Sequence, residues 1–593
     1  MTLRKTKKMN KYKNEIIKKG IQINKNEELE RKYKKILCDK KIKSNNLADF
    51  AVIEAQNKNY DLALMFIAEA LNREPQNPNY SSNYASILID AGYYEEAVNI
   101  LNALIKSEPE NYIFRINRAS VHIKLNNNLE AITDCDYLIS NNSENKSDAW
   151  SKRGLALENI YQLDESLLSY QQALNLDFTN YEANINKANL LYKLKKNTEA
   201  ILSFQKTIDL YPNSSEAWSN IGSLYHDQNE LKISENCYQK SLNIDQHNSD
   251  AWNNYGELMV ELAEFVKAMN FFNNAIEIDN NEKAIFNKSL LLLRTGKILD
   301  GFTLYETRWN LEEFKKNKKE YQKPKWNGNT NIYNKKILVY AEQGLGDTIQ
   351  FVRYIKDIAN KGASVTLQVP RVLIKLLDEY KTFADIKAIE HDEEIEYDYH
   401  CPLMSLPLAL GGIGIYKPYL NPNLKLVEKW KKIIGPSGFK IAICWQGNPD
   451  GRVDIGRSFL PLEFKKISEI DNVRLISLQK NYQDLDSQLK IEKLPEEFDT
   501  NGNAFIDSAA IMQSVDLVIT SDTALTHLAG AIGVKTWLVL KYMPDWRWML
   551  DAKTLWYSEH KLFRQEYRGD WTSVFRKIEN EIQSIINDSK KLK

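Results

Sequence analysis

The stretches Ala149–Ala156 (AWSKRGLA), Ala217–Leu224 (AWSNIGSL) and Ala251–Leu258 (AWNNYGEL) decide how the first half of this chain is read. Trp150, Trp218 and Trp252 lie at multiples of a 34-residue step, and Gly154, Gly222 and Gly256 follow each tryptophan by four residues. A fixed period of this length marks repeated supersecondary units. Outward from these stretches, Ala97, Ala131, Ala200 and Ala268 fall where the second helix of a unit must approach its neighbour closely. Pro75, Pro109 and Pro212 close units, because proline cannot continue a helix. Units start near residues 44, 78, 112, 147, 181, 215 and 249, and an eighth, atypical unit runs from about 282 to 310. The spacing slips by about one residue near Asn142 and near Asn281, which a loop absorbs. A single helix pair cannot bury its own apolar face, so the units must stack.

This is the pattern of tetratricopeptide repeats (TPRs). It predicts an α-solenoid, a TPR superhelix with a concave groove, over residues 44–313. The tryptophans, tyrosines and phenylalanines at repeat positions are read as core. Two residues before each small residue of the first helix stand Asn83, Asn117, Asn186, Asn220, Asn254 and Asn287, with Lys152 interrupting the series. In the TPR fold this position faces the groove. A primary amide both donates and accepts, so such a column can hold an extended peptide backbone without reading its sequence. The series resembles the asparagine ladder of the O-linked N-acetylglucosamine transferases. In an Asn-rich chain, repeat habit is the plainer account.

The whole chain has 593 residues, with Lys+Arg and Asp+Glu equal at 79 each. Several domains are expected, and no global field argues for nucleic acid or a membrane surface. No apolar run is long enough to span a bilayer. The basic start, residues 1–43, lacks the apolar core of a secretory signal and reads as a solvated segment. Cys38, Cys135, Cys237, Cys401 and Cys444 share no metal-ligand or CxxC spacing, which fits reduced packing thiols in a cytoplasmic protein. Residues 314–335 read as a linker.

Beyond the linker the periodicity changes. Ile337–Ala341 is a short apolar run, hence a buried strand, ending in Glu342-Gln-Gly-Leu-Gly-Asp347 and followed by a helical stretch, Thr348–Asn360. Val365–Val369 and Ile386–Ile389 read as further strands. A second unit opens with the strand Ile441–Trp445 and the turn Gln446-Gly-Asn448. Strands Arg474–Leu478, Leu517–Thr520 and Thr536–Leu540 follow, with a helix over Ala524–Ile532. Two Rossmann-like α/β halves are expected, residues 336–430 and 431–593, with ligands outside the carboxyl ends of their strands.

The segments AEQGLGDTIQFVRYI (341–355), CWQGNPD (444–450) with GRS (456–458), VITSDTALTHLAGAIG (518–533) and PDWRWML (544–550) with WY, LFRQ and GDW downstream carry a resemblance. They look like GT-B glycosyltransferase domains fused to bacterial TPR arrays, similar to the ADP-heptose:lipopolysaccharide heptosyltransferases and more distantly to the O-GlcNAc transferase class. Some such fusions glycosylate flagellin. The resemblance implies an inverting, metal-independent transferase using a nucleoside-diphosphate sugar as donor substrate, with no further cofactor. It puts the donor pyrophosphate at Asp522, Thr523 and Ala524, where a helix start offers unpaired N–H groups and the positive end of its dipole. His527, one turn inside, can face the phosphate or pack as a satisfied histidine.

Gln446, Gly447 and Asn448 form a small turn that lets backbone approach a phosphate, and Arg457 follows as a candidate counter-charge. Gln479 would lie near the nucleotide base. In the other half, Gly346 belongs to the glycine loop. Asp347 matches the proposed general base of the heptosyltransferases, with helix capping as the structural alternative and Glu342 as a second candidate. His400 is read as structural, Asp484-Leu-Asp486 as no metal site, and Trp546, Arg547, Trp548 and Trp571 as packing. The rival readings are a non-catalytic TPR scaffold, a transferase acting on a glycan or lipid, and a nicotinamide oxidoreductase. The last suffers from the acidic Asp347 where a pyrophosphate loop needs neutral groups.

Overall fold

Asparagine and serine caps start the first helix of most repeats. Asn77, Asn111, Asn180, Ser214, Asn248 and Asn281 each turn a side-chain oxygen onto a first-turn N–H, satisfying a donor that the helix leaves unpaired. The structure is a computed structural model that describes residues 42–141, 146–315, 319–390, 395–414, 417–448, 456–480, 489–500, 504–551 and 553–591. The basic start therefore lies almost wholly outside the described residues, as do Asp484 and Asp486.

First helices begin at Ser44, Pro78, Tyr112, Lys146, Tyr181, Ser215, Ser249 and Glu282, within one residue of the expected starts. A residue with positive φ turns each first helix into its second: Lys58, Gly92, Asn126, Tyr161, Lys195, Asn229, Ala263 and Gly296. Within a repeat, the small residue of the first helix faces the residue sixteen places later. A Cβ added at Gly154 would stand 2.6 Å from the Tyr170 ring, at Gly222 2.9 Å from Tyr238, and at Gly256 2.5 Å from Phe272. In these three repeats the glycine leaves room for the aromatic opposite it, whereas in the fifth repeat Ala188 stands at the position facing Phe204. Where Ala85 and Ala119 take its place, the facing positions hold the smaller Leu101 and Cys135.

The chain forms two compact units that divide at residues 245 and 246. The first carries twelve of the described helices, from Ser44 to Ile244. The second carries Ser249–Glu261, Phe265–Asp279, Glu282–Arg294 and Ile298–Tyr305 together with the sheets. The expected division at 313/314 is therefore not where the packing separates. Leu293, Phe302 and Tyr305 belong to one core with Ile337, Val339 and Phe351. Phe302 meets Trp546 edge-on at 5.7 Å, and Arg294 Nε donates to the Pro544 carbonyl at 3.2 Å. The expected linker is built in as well: Trp326 and Ile332 are buried. The Trp326 N–H donates to the His400 carbonyl at 2.8 Å, and the His400 N–H to that of Pro324 at 3.2 Å.

Two parallel sheets make up the rest. The first has the order β3-β2-β1-β4, with β1 Lys336–Tyr340, β2 Ser364–Val369, β3 Ala384–Ala388 and β4 Tyr399–Pro402. The second has the order β10-β9-β8-β5-β6-β7, with β5 Phe439–Cys444, β6 Val473–Ser477, β7 Ile491–Glu492, β8 Leu517–Ser521, β9 Thr536–Leu540 and β10 His560–Arg564. Every pairing is parallel, as strands buried on both faces by crossover helices require. The helical stretch after β1 starts earlier than expected, at Leu345. It runs to Phe351, passes through a 3₁₀ turn, Val352–Tyr354, and continues as Ile355–Asn360.

Candidate functional site

In each sheet the strand order reverses beside its first strand, and the carboxyl ends there open a crevice. In the second sheet this point lies between β5 and β8, which pair with Cys444 opposite Thr520. β5 runs out into Gln446, Gly447 and Asn448, and β8 into Asp522 and Thr523. The helix Ala524–Ile532 starts directly after, and Thr523 at its head makes no side-chain cap. Its hydroxyl instead faces Thr520 Oγ1 at 3.4 Å and Cys444. Helix start, turn and strand ends thus converge as expected, and Arg457 joins them: its charge acts on both Cys444 and Asp522. Burial and the nearby Asp545 push the Asp522 carboxyl up to about 6, against the pull of Trp548, Arg457 and Arg547.

The corresponding point of the first sheet is filled. Glu342, at the end of β1, is fully enclosed and accepts from Arg308 Nη2 at 2.9 and 3.0 Å and from Nε at 3.3 Å. The Met404 N–H after β4 also donates to it, at 3.1 Å. Arg308 itself is fully buried and reaches Glu306 (2.9 Å) and Ser405 Oγ (2.9 Å). Burial holds the Glu342 carboxyl above its ordinary range, with Arg308 opposing. As a proton acceptor Glu342 is therefore set aside: its oxygens are spent on a structural ion pair that ties residues 306–308 to the sheet.

Asp347 lies one turn further on. Its Oδ2 accepts the Gly344 N–H at 3.0 Å, the capping role expected as its alternative, though to a helix that begins at Leu345. Its Oδ1 takes an ion pair from Arg547 Nη2, across 200 residues of sequence. Arg547 also donates through Nε to Gln350 Oε1 and through Nη1 to Asp545 Oδ1, both at 2.9 Å. Its guanidinium lies 4.3 Å from the Trp546 ring centre. Burial holds the Asp347 carboxyl above its ordinary range, with Arg547 opposing. Gln350 Nε2, fully buried, has no partner among the described residues.

Three expected contacts are placed differently. His527 is buried; its Nδ1 meets the Tyr557 hydroxyl at 3.0 Å and its ring stacks on Trp548 at 5.4 Å. Burial first, then Arg547, keeps it well below the ordinary imidazole range, so it is a neutral histidine packed against Tyr557 and Trp548. Gln479 turns its Oε1 onto the Gln446 N–H (3.0 Å), the Trp445 N–H (3.3 Å) and Cys444 Sγ (3.2 Å). It braces the β5 turn, which leaves it no acceptor for a base. Gly346 is the point where two helices meet: a Cβ there would stand 3.1 Å from His527 and 3.2 Å from the Ala524 Cα. Its role is close approach between the halves.

His400 is structural as expected, stacked 4.3 Å from Tyr321 and held by burial at about 4. Arg547 and Asp545 were missed as site residues. Within the PDWRWML run Arg547 reads as packing and Asp545 carries no reading of its own, and only the fold brings them to Asp347. Among the described residues no cluster of three or more His, Cys, Asp or Glu is set to hold a metal.

In the repeats, Asn83, Asn117, Asn186, Asn220, Asn254 and Asn287 each occupy the sixth position of a first helix and are half-buried. Some are already engaged. Asn220 Nδ2 donates to Asn189 at 2.9 Å, and Asn287 Nδ2 to Asn253 at 2.9 Å and to Glu257. Lys152, which interrupts the series, pairs with Glu182 at 2.7 Å.

Comparison with known proteins supports the repeats directly. Tetratricopeptide-repeat families match residues 54–132 and, separately, residues 181–214 and 215–248. With the helix pairs above, the N-terminal part is a TPR solenoid, a fold that commonly serves protein–protein interaction. Protein FlbA of Caulobacter vibrioides (strain ATCC 19089 / CIP 103742 / CB 15) is 24% identical over 328 residues, covering 49% of this chain and 54% of that protein. This chain thus spans about half the length of that relative. Among solved structures, a TPR protein from Parabacteroides merdae is 17% identical, with a TM-score of 0.36, over 42% of this chain and 98% of that one. The Cut9–Hcn1 hetero-tetramer of the APC/C is 15% identical, also with a TM-score of 0.36, over 45% and 52%. Among the described residues no helix is long and apolar enough to cross a membrane.

Proposed function

We propose that this protein is a glycosyltransferase of GT-B type, moving a sugar from a nucleoside-diphosphate sugar to an acceptor hydroxyl on a protein held by the repeats. The observation that carries this reading is the uncapped start of the helix Ala524–Ile532 at the reversal point of the six-stranded sheet, with Arg457 beside it and Asp347 brought up from the other sheet. The helix dipole and the N–H groups at the helix start suit a diphosphate, the Thr526 N–H being already turned to the Thr523 carbonyl at 3.1 Å. Asp347 takes the proton of the acceptor hydroxyl, whose oxygen attacks the anomeric carbon as the bond to the diphosphate breaks. The single displacement inverts the anomeric centre. The helix start and Arg457 receive the charge that grows on the departing diphosphate. The half-buried asparagines of the first helices supply amides suited to an acceptor backbone.

One observation favours a second reading, a scaffold with a silent α/β domain: both Asp347 oxygens already accept a bond. Each carboxylate oxygen has two acceptor sites, so the engagement does not exhaust it. The test is a thermal-shift screen of the full chain with nucleoside diphosphates and their sugars, followed by an assay for released nucleoside diphosphate. A ligand that binds only the folded state raises the melting temperature. Asp347→Asn should keep that shift and lower turnover by ~10²-fold or more. No shift with any nucleotide at millimolar concentration, and no release, would sink the transferase reading.

A further inference from the structure

We infer that Arg547 is a positioning residue: it fixes the Asp347 carboxylate, across the crevice between the two sheets, in the oriented and ionised form that a proton acceptor requires. The inference gives Arg547 its purpose within the transferase reading and deepens that reading.

The geometry is that of a clamp with every arm occupied. The three guanidinium nitrogens of Arg547 each have a partner: Asp347, Gln350 Oε1 and Asp545 Oδ1. The Trp546 ring supports the guanidinium plane. Gln350 belongs to the same short helix as Asp347 and is fully buried. Arg547 therefore grips that helix at two points three residues apart, and grips its own turn through Asp545, which also caps the turn by accepting the Arg547 N–H at 3.0 Å. A planar fork with fixed donors sets direction as well as distance. The Asp347 side chain keeps 21% exposure against 10% for Arg547. The carboxylate is thus the more exposed partner of the pair.

The turn that carries Arg547 is under backbone tension. Met549, directly after the 3₁₀ turn Trp546–Trp548, has φ 52° and ψ −158°, a region that residues with a Cβ rarely enter. The surroundings hold it there. Met549 is buried, and Arg564 Nη2 donates to the carbonyls of Trp548 (2.6 Å) and Asp551 (2.8 Å) on either side.

The charged and titratable groups around Asp347 come from four elements. Arg547 and Asp545 lie on the turn. Tyr305, on Ile298–Tyr305, feels both Asp347 and Arg547. His527, on Ala524–Ile532, is neutral, and Asp522 precedes that helix. The Gly344 N–H comes from its own loop. Burial and Asp545 favour the protonated form of Asp347, while Arg547 and the Gly344 N–H favour the ionised form. Removing Arg547 removes the strongest opponent of protonation, and removing Asp545 removes a promoter of it, so the two changes must move the carboxyl in opposite directions.

The test follows the carboxyl of the full-length protein by pH-difference infrared spectroscopy, its band assigned by its loss in Asp347→Asn. Arg547→Gln should raise the titration midpoint by about one pH unit or more. Arg547→Lys should hold it near the parent value, and Asp545→Asn should lower it. An unchanged midpoint in folded Arg547→Gln overturns the inference. If circular dichroism shows that variant to be unfolded, Asp545→Asn and Arg547→Lys decide: an unmoved or raised midpoint in Asp545→Asn, or a loss of the parent midpoint in Arg547→Lys, overturns it equally. Turnover of UDP-, GDP- and ADP-sugars is measured alongside. An acid limb that rises with the midpoint in Arg547→Gln supports both readings. A shifted midpoint in a protein that releases no nucleoside diphosphate sinks the transferase reading and leaves the Arg547–Asp347 coupling standing.

Discussion

The repeats between residues 44 and 244 and the crevice of the α/β domain are built on opposite principles. In the repeats, residues that touch are sixteen apart within a unit, as Gly154 is from Tyr170 and Arg118 from Asp134. Between units they are 16 or 17 apart, as Arg118 is from Asn102 and Arg153 from Asp136, or 31 to 35 apart, as Asn220 is from Asn189 and Tyr192 from Asp227. In the crevice, Asp347 waits for Arg547, and Arg353 for Trp556 O at 3.1 Å, across about two hundred residues. Short separations make structure a repeated local rule, with little loop entropy to overcome per contact. Long separations make each contact singular, fixed only once both sheets are formed.

The sharpest way to break that contrast is at Glu342. Glu342→Gln leaves Arg308 buried with Glu306 as its remaining counter-charge. Breaking a buried pair by removing one partner costs several kcal/mol. A loss of about 3 kcal/mol, read from the α/β transition in calorimetry, is expected. A loss under about 1 kcal/mol would mean the pair is solvated and the first sheet's reversal point is not sealed.

In the repeats the comparable change is Gly154→Ala, which drives a methyl to 2.6 Å from the Tyr170 ring. Overpacking of this kind costs about 1–3 kcal/mol. Because the contact is local, Gly154→Ala with Tyr170→Leu should recover much of it, by adopting the small-residue pairing already present at Ala85 and Leu101. Denaturant unfolding of the single and double variants tests this. Equal loss in both would show that the sixteen-residue rule is not the operative one.

The smallest effect is a pH dependence at Asp522. Its folded carboxyl stands at about 6, above the ordinary value. Its contribution therefore favours folding at low pH and is lost as the pH rises through about 6. Asp522→Asn removes that loss. Relative to the parent it should gain about 1–2 kcal/mol on going from about pH 5 to about pH 7.5, part of the group being open to solvent. Melting temperatures at the two pH values report it, and a difference that does not change with pH would place Asp522 outside the buried charge cluster.

The same contrast explains what could be read in advance. All eight helix-pair starts were legible, because caps, αL turns and small residues recur at one spacing. The strands Leu517–Ser521 and Thr536–Leu540 were legible as uninterrupted apolar runs. β4, Tyr399–Pro402, β7, Ile491–Glu492, and β10, His560–Arg564, were missed, because the first two are only four and two residues long and three of the five residues of β10 are polar. Within the crevice, Asp522, Thr523 and Arg457 could be gathered from strand-end motifs. The commitment of His527 to Tyr557, of Gln479 to the β5 turn and of Glu342 to Arg308 could not. Each is a hydrogen-bonding choice among partners that only the folded chain supplies.

The docking of residues 324–326 on β4 has a practical meaning. β4 is the outermost strand of its sheet, and a bare outer strand offers unpaired N–H and C=O groups to any other extended chain. Pro324, Lys325 and Trp326 cover part of that margin through the bond of the His400 N–H to the Pro324 carbonyl, the bridge of Lys325 to His400 and the bond of the Trp326 N–H to the His400 carbonyl. A shortened chain that began at β1, where the sheet starts, would strip this margin and empty the place of Trp326. It would also unseat Arg308 from Glu342. Cut there, the domain would be prone to stick to its own copies, and the piece that behaves as a unit reaches back at least into the helix Ile298–Tyr305.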